Sequence, residues 1–148
     1  MTAVETVALS GCLAGVLDIS ATATVMASQG GSIKRLLQFV ASGAFGTSAF
    51  EGDKRTAGIG LLLHFLIAGF VAAIYYAISR RIPFSLTRPL LFGTLYGIAV
   101  HLIMSRIVVP LSRAPKRKFS IGAFLAQLVI HVSCVGLPIA LAQSYFSR

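Results

Sequence analysis

Four long apolar stretches dominate the hydrophobic pattern of the chain. The clearest covers residues 58–79, GIGLLLHFLIAGFVAAIYYAIS, which holds no Asp, Glu, Lys or Arg and is followed by Arg80 and Arg81. About 20 consecutive apolar residues are enough for a helix to cross the hydrocarbon core of a bilayer. The pattern therefore predicts transmembrane helices over about residues 4–27, 57–79, 89–109 and 121–143.

A shorter segment with a different pattern separates the first two spans. Over about residues 32–47, apolar side chains fall on one helical stripe and polar side chains lie opposite. Ser32 is a suitable N-cap, so we expect an amphipathic helix that lies in the membrane interface. A re-entrant hairpin broken at Gly43 or Gly46 is the alternative. The apolar stripe is Ile33, Leu36, Leu37, Val40, Ala44 and Phe45, and the polar side is Lys34, Arg35, Gln38 and Ser42.

Composition and charge favour an all-α membrane protein with a single transmembrane domain, residues 1–148. Hydrophobic residues make up 56% of the chain and charged residues 11%, far from the averages of soluble domains. The net charge of +9 comes from basic residues in the connections between the spans. Basic residues there act as topology signals and meet anionic lipid headgroups. We therefore expect the lipid bilayer, and not nucleic acid, as the partner of these charges.

The distribution of basic residues predicts an orientation. Nine of the 13 Lys and Arg residues lie in the two long connections after the first and third spans, and four lie on the other side. Cytoplasmic loops carry an excess of Lys and Arg. Both long connections are therefore expected in the cytoplasm, and both termini outside it.

Each span carries a polar side chain on the face that is richest in small residues. Steps of three and four from His64, for example, meet Ala57, Gly60, Ala68 and Ala72. Small residues let helices approach closely in lipid, so these faces should meet other helices. At 1.5 Å per residue, the polar groups lie roughly 10 to 15 Å from the side of the basic connections, in one layer. They are Asp18, His64, His101, Gln127 and His131.

An intramembrane Asp–His layer favours one functional hypothesis. Ionisable residues inside a membrane are costly, usually pair or face a cavity, and mark functional sites. Histidine titrates near neutral pH. The first hypothesis is therefore proton-coupled transport or solute binding between the helices. Its secondary candidate residues are Thr22, Tyr75 and Ser105.

The alternative hypothesis is a non-catalytic accessory or scaffold subunit of a membrane complex. In that case the same polar side chains only fix the packing of the helices. The steps Gly11–Gly15 and Gly93–Gly97 have the GxxxG spacing and fit packing within the chain as well as a homo-oligomer.

Enzyme and cofactor signals are weaker. No serine lies in a nucleophile motif such as GxSxG, so we expect no enzyme. Facing histidines can bind haem iron axially, and His64 and His101 lie at similar depth. Three histidines without a CxxCH motif signal haem or metal weakly. We therefore expect no cofactor, with haem or metal held by His64, His101 and His131 as the alternative.

Prolines and tyrosines add local expectations. Pro110 should end the third span, and Pro138 should kink the fourth, which transmembrane helices tolerate. Tyr75 and Tyr76 lie near the end of the second span and suit an interfacial aromatic belt.

Parts of the sequence resemble a known family. The runs LQFVASGAFG (residues 37–46), LHFLIAGFVAAIYY, and YGIAVHLIM followed by PLS look like a family of small bacterial integral membrane proteins that carries no motif of known chemistry. The layout is also distantly similar to YagU-type inner-membrane proteins. The resemblance implies a bacterial inner membrane and assigns no functional residue. In such a membrane, the orientation expected from the basic residues places both termini in the periplasm. Small multidrug transporters have a similar layout, but this chain has Asp where they have Glu and contains no Trp.

Overall fold

The protein folds into helices without strands over the residues that the computed structural model describes, 1–116 and 118–147. Four helices are long and apolar enough to cross a membrane, as expected. This confirms the all-α, four-span fold class. Arg117 and Arg148, which the charge count includes, lie outside the described residues. The helices are α1 (Ala3–Ser28), α2 (Ile33–Phe45), α3 (Lys54–Arg81), α4 (Phe84–Thr87), α5 (Pro89–Leu111) and α6 (Ile121–Phe146).

The helix ends follow local capping chemistry. The Thr2 hydroxyl accepts from the backbone N–H of Glu5, whose carboxylate accepts from the N–H of Thr2, a capping box that starts α1. Ser32 caps α2, as predicted, by accepting from the N–H of Arg35. Gly46 ends α2 with φ 67°, a conformation that favours glycine. A 3-10 turn (Gly46–Phe50) follows, so the segment is a helix with a break at Gly46.

Glycines pair α1 with α3. A Cβ added to Gly11 would lie 2.9 Å from the Cα of Gly69, and one added to Gly15 would lie 2.8 Å from the ring of Phe65. Backbones can approach this closely only where the side chain is missing. The first GxxxG step is thus occupied by packing within the chain.

The second glycine step pairs α5 with α6 in the same way. A Cβ on Gly97 would lie 2.6 Å from the Cα of Val132, and one on Gly93 would lie 3.0 Å from the carbonyl oxygen of Gly136. Glycines therefore give two close backbone contacts, α1 with α3 and α5 with α6, and α1 also packs along α6.

The two pairs join in the half of the bundle that holds both chain termini. The Gln143 amide of α6 donates to Ser10 Oγ of α1 at 3.1 Å and to the Ala72 carbonyl of α3 at 2.9 Å. The Tyr96 hydroxyl of α5 donates to the Val71 carbonyl at 2.6 Å. Buried apolar residues from all four spans surround these bonds: Ala14, Val71, Ala72, Tyr75, Val100, Val135, Ile139 and Ala140.

Pro110 and Pro138 both lie inside helices. The prediction that Pro110 ends its span was wrong, because α5 continues to Leu111. A π turn precedes Pro110 (Met104–Val108), and another (His131–Gly136) precedes Pro138. Each proline thus falls in the first turn of the α-helical segment that follows, where its missing N–H needs no partner. The departure from α geometry near Pro138 therefore lies upstream of the proline.

The packing of α2 corrects the predicted polar side. Gln38 and Ser42, expected opposite the buried stripe, are only 2% and 0% exposed. Both donate hydrogen bonds to backbone carbonyls. Ile33 and Phe45, from the apolar stripe, are exposed. The physical reason is that a helix in contact with lipid turns apolar side chains outward and satisfies its polar groups within the protein.

Two contacts hold α2 on α3. A Cβ on Gly60 would collide with the Leu37 carbonyl, so the two backbones touch there. The Lys34 ammonium lies 3.2 Å from Asp53 Oδ1. This hydrogen bond, followed by one from the backbone N–H of Lys54, holds the pKa of Asp53 below its ordinary value. The short helix is thereby fixed at the side of the basic connections.

Candidate functional site

Asp18 and His64 meet across the contact between α1 and α3. His64 Nδ1 lies 3.9 Å from Asp18 Oδ2, and His64 Nε2 lies 2.9 Å from the carbonyl oxygen of Gly15. A carbonyl only accepts, so Nε2 carries a hydrogen and donates it. Nδ1 then faces a carboxylate oxygen. The distance from Nδ1 to this oxygen, 3.9 Å, is within ion-pair range and longer than a hydrogen bond.

The Asp18 carboxylate is incompletely satisfied. Its Oδ1 atom is buried and has no hydrogen-bond partner among the described residues. The side chains of Asp18 and His64 are 17% and 12% exposed. A buried polar atom without a partner is unfavourable, so Oδ1 has the capacity to accept a further hydrogen bond. The ring of Phe65 borders the site, edge-on to His64 with 5.5 Å between the ring centres.

His101 and His131 meet across the contact between α5 and α6. Their ring centres are 5.2 Å apart. His131 Nδ1 lies 2.8 Å from the Gln127 carbonyl and donates to it. His101 is 3% exposed, and its Nε2 is buried without a hydrogen-bond partner in the part of the chain that the structure describes. The second pair thus also contains an unsatisfied polar atom.

An arginine and two phenylalanines surround the second pair. Phe124 lies against His101 with 4.5 Å between the ring centres. The Arg106 guanidinium lies over the rings of Phe119 and Phe124, at 5.6 and 5.3 Å from their centres. Sequence reasoning used Arg106 only as a topology signal. A sequence signal for this contact was available. Arg106 lies little more than one turn after His101, and aromatic residues occur near the start of the next helix.

The predicted residues therefore come together as two pairs. In the described ranges, no hydrogen bond, ion pair or ring contact joins Asp18 or His64 to His101 or His131. The glycine steps decide this grouping, because they bring α1 against α3 and α5 against α6. Depth along each helix predicted the layer but could not predict which helices are neighbours.

The other candidates occupy different surroundings. The backbone carbonyl of Gln127 binds His131, and its side chain is half-buried. Thr22 is half-buried one turn beyond Asp18, and the Ser105 hydroxyl bonds back to the Leu102 carbonyl. Tyr75 is 1% exposed, with its hydroxyl 3.4 Å from the Ser85 carbonyl. The aromatic-belt prediction was therefore wrong for Tyr75, which lies in the core. The small residues on its face of α3 let neighbouring helices approach and cover the ring.

Sequence reasoning also missed the buried amide that joins three spans. Gln143 is 0% exposed and bonds to Ser10 and to the Ala72 carbonyl. It lies two turns after Gly136 on the small-residue face of α6, which was the signal that could have identified it.

Metal and haem ligation rest on the histidines alone. Among the described residues, no group of three or more His, Cys, Asp or Glu side chains could hold a metal ion. His64 and His101, the suggested haem ligands, lie in different helix pairs. Haem ligation stays a prediction, which the absorption spectrum of the natively purified protein would test. Comparisons of the chain with protein-family models, curated proteins and solved structures give no match.

Proposed function

We propose that this small multi-pass membrane protein binds and releases one proton at the Asp18–His64 pair, in proton-coupled transport or solute binding. The observation that supports the proposal most is the geometry of His64. Its Nε2 donates to the Gly15 carbonyl, which leaves Nδ1 facing Asp18 Oδ2 at 3.9 Å. The unpartnered Oδ1 of Asp18 supports a place for a second group at the same carboxylate.

Loss of the proton would change the contact between α1 and α3. Without it, the lone pair of Nδ1 faces a negative oxygen, and the two atoms repel each other in a medium of low dielectric constant. Protonation therefore favours the closed contact, and deprotonation favours separation of Asp18 from His64. This difference between two states is the property that couples a proton to the movement or binding of a solute.

The first experiment measures the proton directly. Difference infrared spectra of the protein in lipid, recorded as the pH is changed, report the carboxyl and imidazole bands. We expect a pH-dependent signal that Asp18→Asn removes. Glu5→Gln is the matched control, because it makes the same carboxylate-to-amide change at the exposed start of the same helix.

The second experiment measures function. Protein in liposomes with a pH-sensitive dye inside should admit protons when a gradient is imposed, and Asp18→Asn should reduce the rate to that of empty liposomes. Proton uptake by Asp18→Asn equal to that of Glu5→Gln, with both variants folded by circular dichroism, would contradict the proposal.

A scaffold role is the second candidate, and one observation favours it. Each pair includes a histidine that donates to a backbone carbonyl, His64 to Gly15 and His131 to Gln127, as a side chain that only fixes helix packing would. Under this role, Asp18→Asn lowers the melting temperature and leaves no other trace. Native mass spectrometry of gently extracted protein would then show a stoichiometric partner subunit.

The proposed location is a bacterial inner membrane with both termini in the periplasm. The excess of Lys and Arg in the two long connections supports this orientation. Reporter fusions that are active on only one side of the membrane test it when they are attached at the C-terminus and, separately, within the connection after α5. Cytoplasmic activity at the C-terminus would overturn the orientation.

A further inference from the structure

Two cavities lie beside the last part of α1, next to α2. The first, which lies at the C-terminal end of α1 and is called the upper cavity, has a volume of about 530 Å³. It is lined by Met26, Gly30, Gly31, Ser32, Arg35 and Phe50. The side groove, about 480 Å³, is lined by Ile19, Ser20, Ala23, Thr24, Ala27, Ile33, Leu37 and Leu61. Consecutive residues line the two cavities at two places: Met26 and Ala27 at the end of α1, and Ser32 and Ile33 at the start of α2.

The helix packing explains why this space is open. Close contacts between α1 and α3 occur at Gly11 and Gly15. Farther along, at Gly60, the backbone of α3 is instead in contact with α2 at Leu37. Residues of the last third of α1 therefore border a groove whose other walls come from α2 and from Leu61 of α3.

The two cavities differ in chemistry. Aliphatic side chains dominate the side groove, and the Thr24 hydroxyl at its wall bonds back to the Ser20 carbonyl. The groove follows α1 from Ile19 to Ala27, about 12 Å at 1.5 Å per residue. That is less than half of a hydrocarbon core of about 30 Å, so the groove lies within one leaflet. Its shape and polarity suit the first part of an acyl chain.

The upper cavity carries the charge. The Arg35 guanidinium lies over the Phe50 ring at 5.7 Å from its centre. No carboxylate lies within ion-pair distance of Arg35 in the ranges that the structure describes. The nearby acidic residue Asp53 is bound to Lys34. Along residues 34–55, the segment that supplies Arg35 and Phe50, four basic residues accompany two acidic ones: Lys34, Arg35, Lys54 and Arg55 against Glu51 and Asp53.

We propose that these two cavities form one binding site for an anionic glycerophospholipid, with the phosphate at Arg35 and an acyl chain in the groove along α1. The positive upper cavity complements a phosphodiester, and the apolar groove below it continues into the membrane in the direction that an acyl chain takes. Arginine binds phosphate through several N–H donors in a planar arrangement. The site does not depend on the proposed role of Asp18 and His64.

Native mass spectrometry of the full chain tests this site. The protein is reconstituted with equal amounts of phosphatidylglycerol and phosphatidylcholine of identical acyl chains, extracted, and the retained lipid is counted. We expect one phosphatidylglycerol per chain in preference to phosphatidylcholine. Arg35→Gln should lower its retention about fivefold, the size expected for one basic residue at an anionic surface.

The chain offers a matched control for each part of the site. Arg88 lies over the Phe84 ring at 5.8 Å, the same arrangement without either cavity, so Arg88→Gln should leave retention unchanged. Ala23→Leu fills the groove and should lower retention of both lipids, whereas Ala8→Leu on the exposed far half of α1 should not.

Three results would overturn the proposal. One is equal retention of the two lipids. Another is an Arg35→Gln variant that retains as much phosphatidylglycerol as Arg88→Gln does. Displacement of the bound lipid by inorganic phosphate would assign the upper cavity to a free anion and overturn the lipid assignment.

Discussion

The Asp18–His64 pair and the His101–His131 pair occupy equivalent places in the bundle but differ in their chemistry. Both lie at a glycine-packed contact between two spans, and in both a histidine donates to a backbone carbonyl. In the first pair the second member is a carboxylate, and in the other it is an imidazole. A proton added to the first pair gains an attraction, whereas a proton added to the second faces a neighbouring imidazole and the Arg106 charge nearby. The same packing can therefore support a proton site or a neutral contact.

Removal of the first imidazole should have the largest effect. His64→Gln removes Nδ1 opposite Asp18 and should reduce proton uptake to that of empty liposomes. His101→Gln makes the same change in the second pair and should leave uptake unchanged, because no carboxylate faces it. The dye assay in liposomes compares the two, and equal loss in both variants would mean that the pairs act as one site.

Addition of a side chain at a glycine contact should have the next largest effect, a loss of stability. A Cβ on Gly97 meets backbone atoms of α6 that cannot move aside, so Gly97→Ala should lower the free energy of unfolding by about 1 to 3 kcal/mol. Gly58→Ala is the control, because nothing lies within 4 Å of its Cβ position. Thermal unfolding followed by circular dichroism measures both, and equal melting temperatures would refute this packing.

Replacement of one histidine from each pair by phenylalanine should separate the pairs by the size of the effect on the free energy of unfolding. His64→Phe leaves Asp18 buried without its partner and should cost about 1 to 3 kcal/mol. His101→Phe removes a buried nitrogen that has no hydrogen-bond partner, so the free energy of unfolding should change by less than about 1 kcal/mol. Chemical or thermal unfolding in the same detergent gives both values. A larger loss for His101→Phe would show that a nitrogen of the His101 ring has a hydrogen-bond partner.

The smallest effect concerns the exposed ion pair that fixes α2 to α3. The pKa of Asp53 is lowered by Lys34, so the carboxylate contributes stability at pH values above the ordinary aspartate pKa of about 4 and loses that contribution as the pH falls through the lowered pKa. The melting temperature of the wild type should therefore fall slightly more on acidification than that of Asp53→Asn. Lys34→Gln should behave like Asp53→Asn, and added salt should reduce the difference.

Individual residues show how far the sequence alone reaches. The face predicted around His64 matches the buried face of α3 closely, because small residues at helical spacing indicate a helix contact inside a membrane. Gln38 and Ser42 were assigned to the wrong side of α2. Polarity along a short helix indicates which residues share a side, but it does not show whether lipid or protein covers that side.

What the sequence by itself determined is the number of spans and their approximate ends. Those properties depend on hydrophobic length and rise per residue along one helix at a time. Only the tertiary structure decided that Asp18 meets His64 and that His101 meets His131. Neighbour choice depends on where two backbones can touch, and the contacts at Gly11, Gly97 and Gly60 set this for the whole bundle.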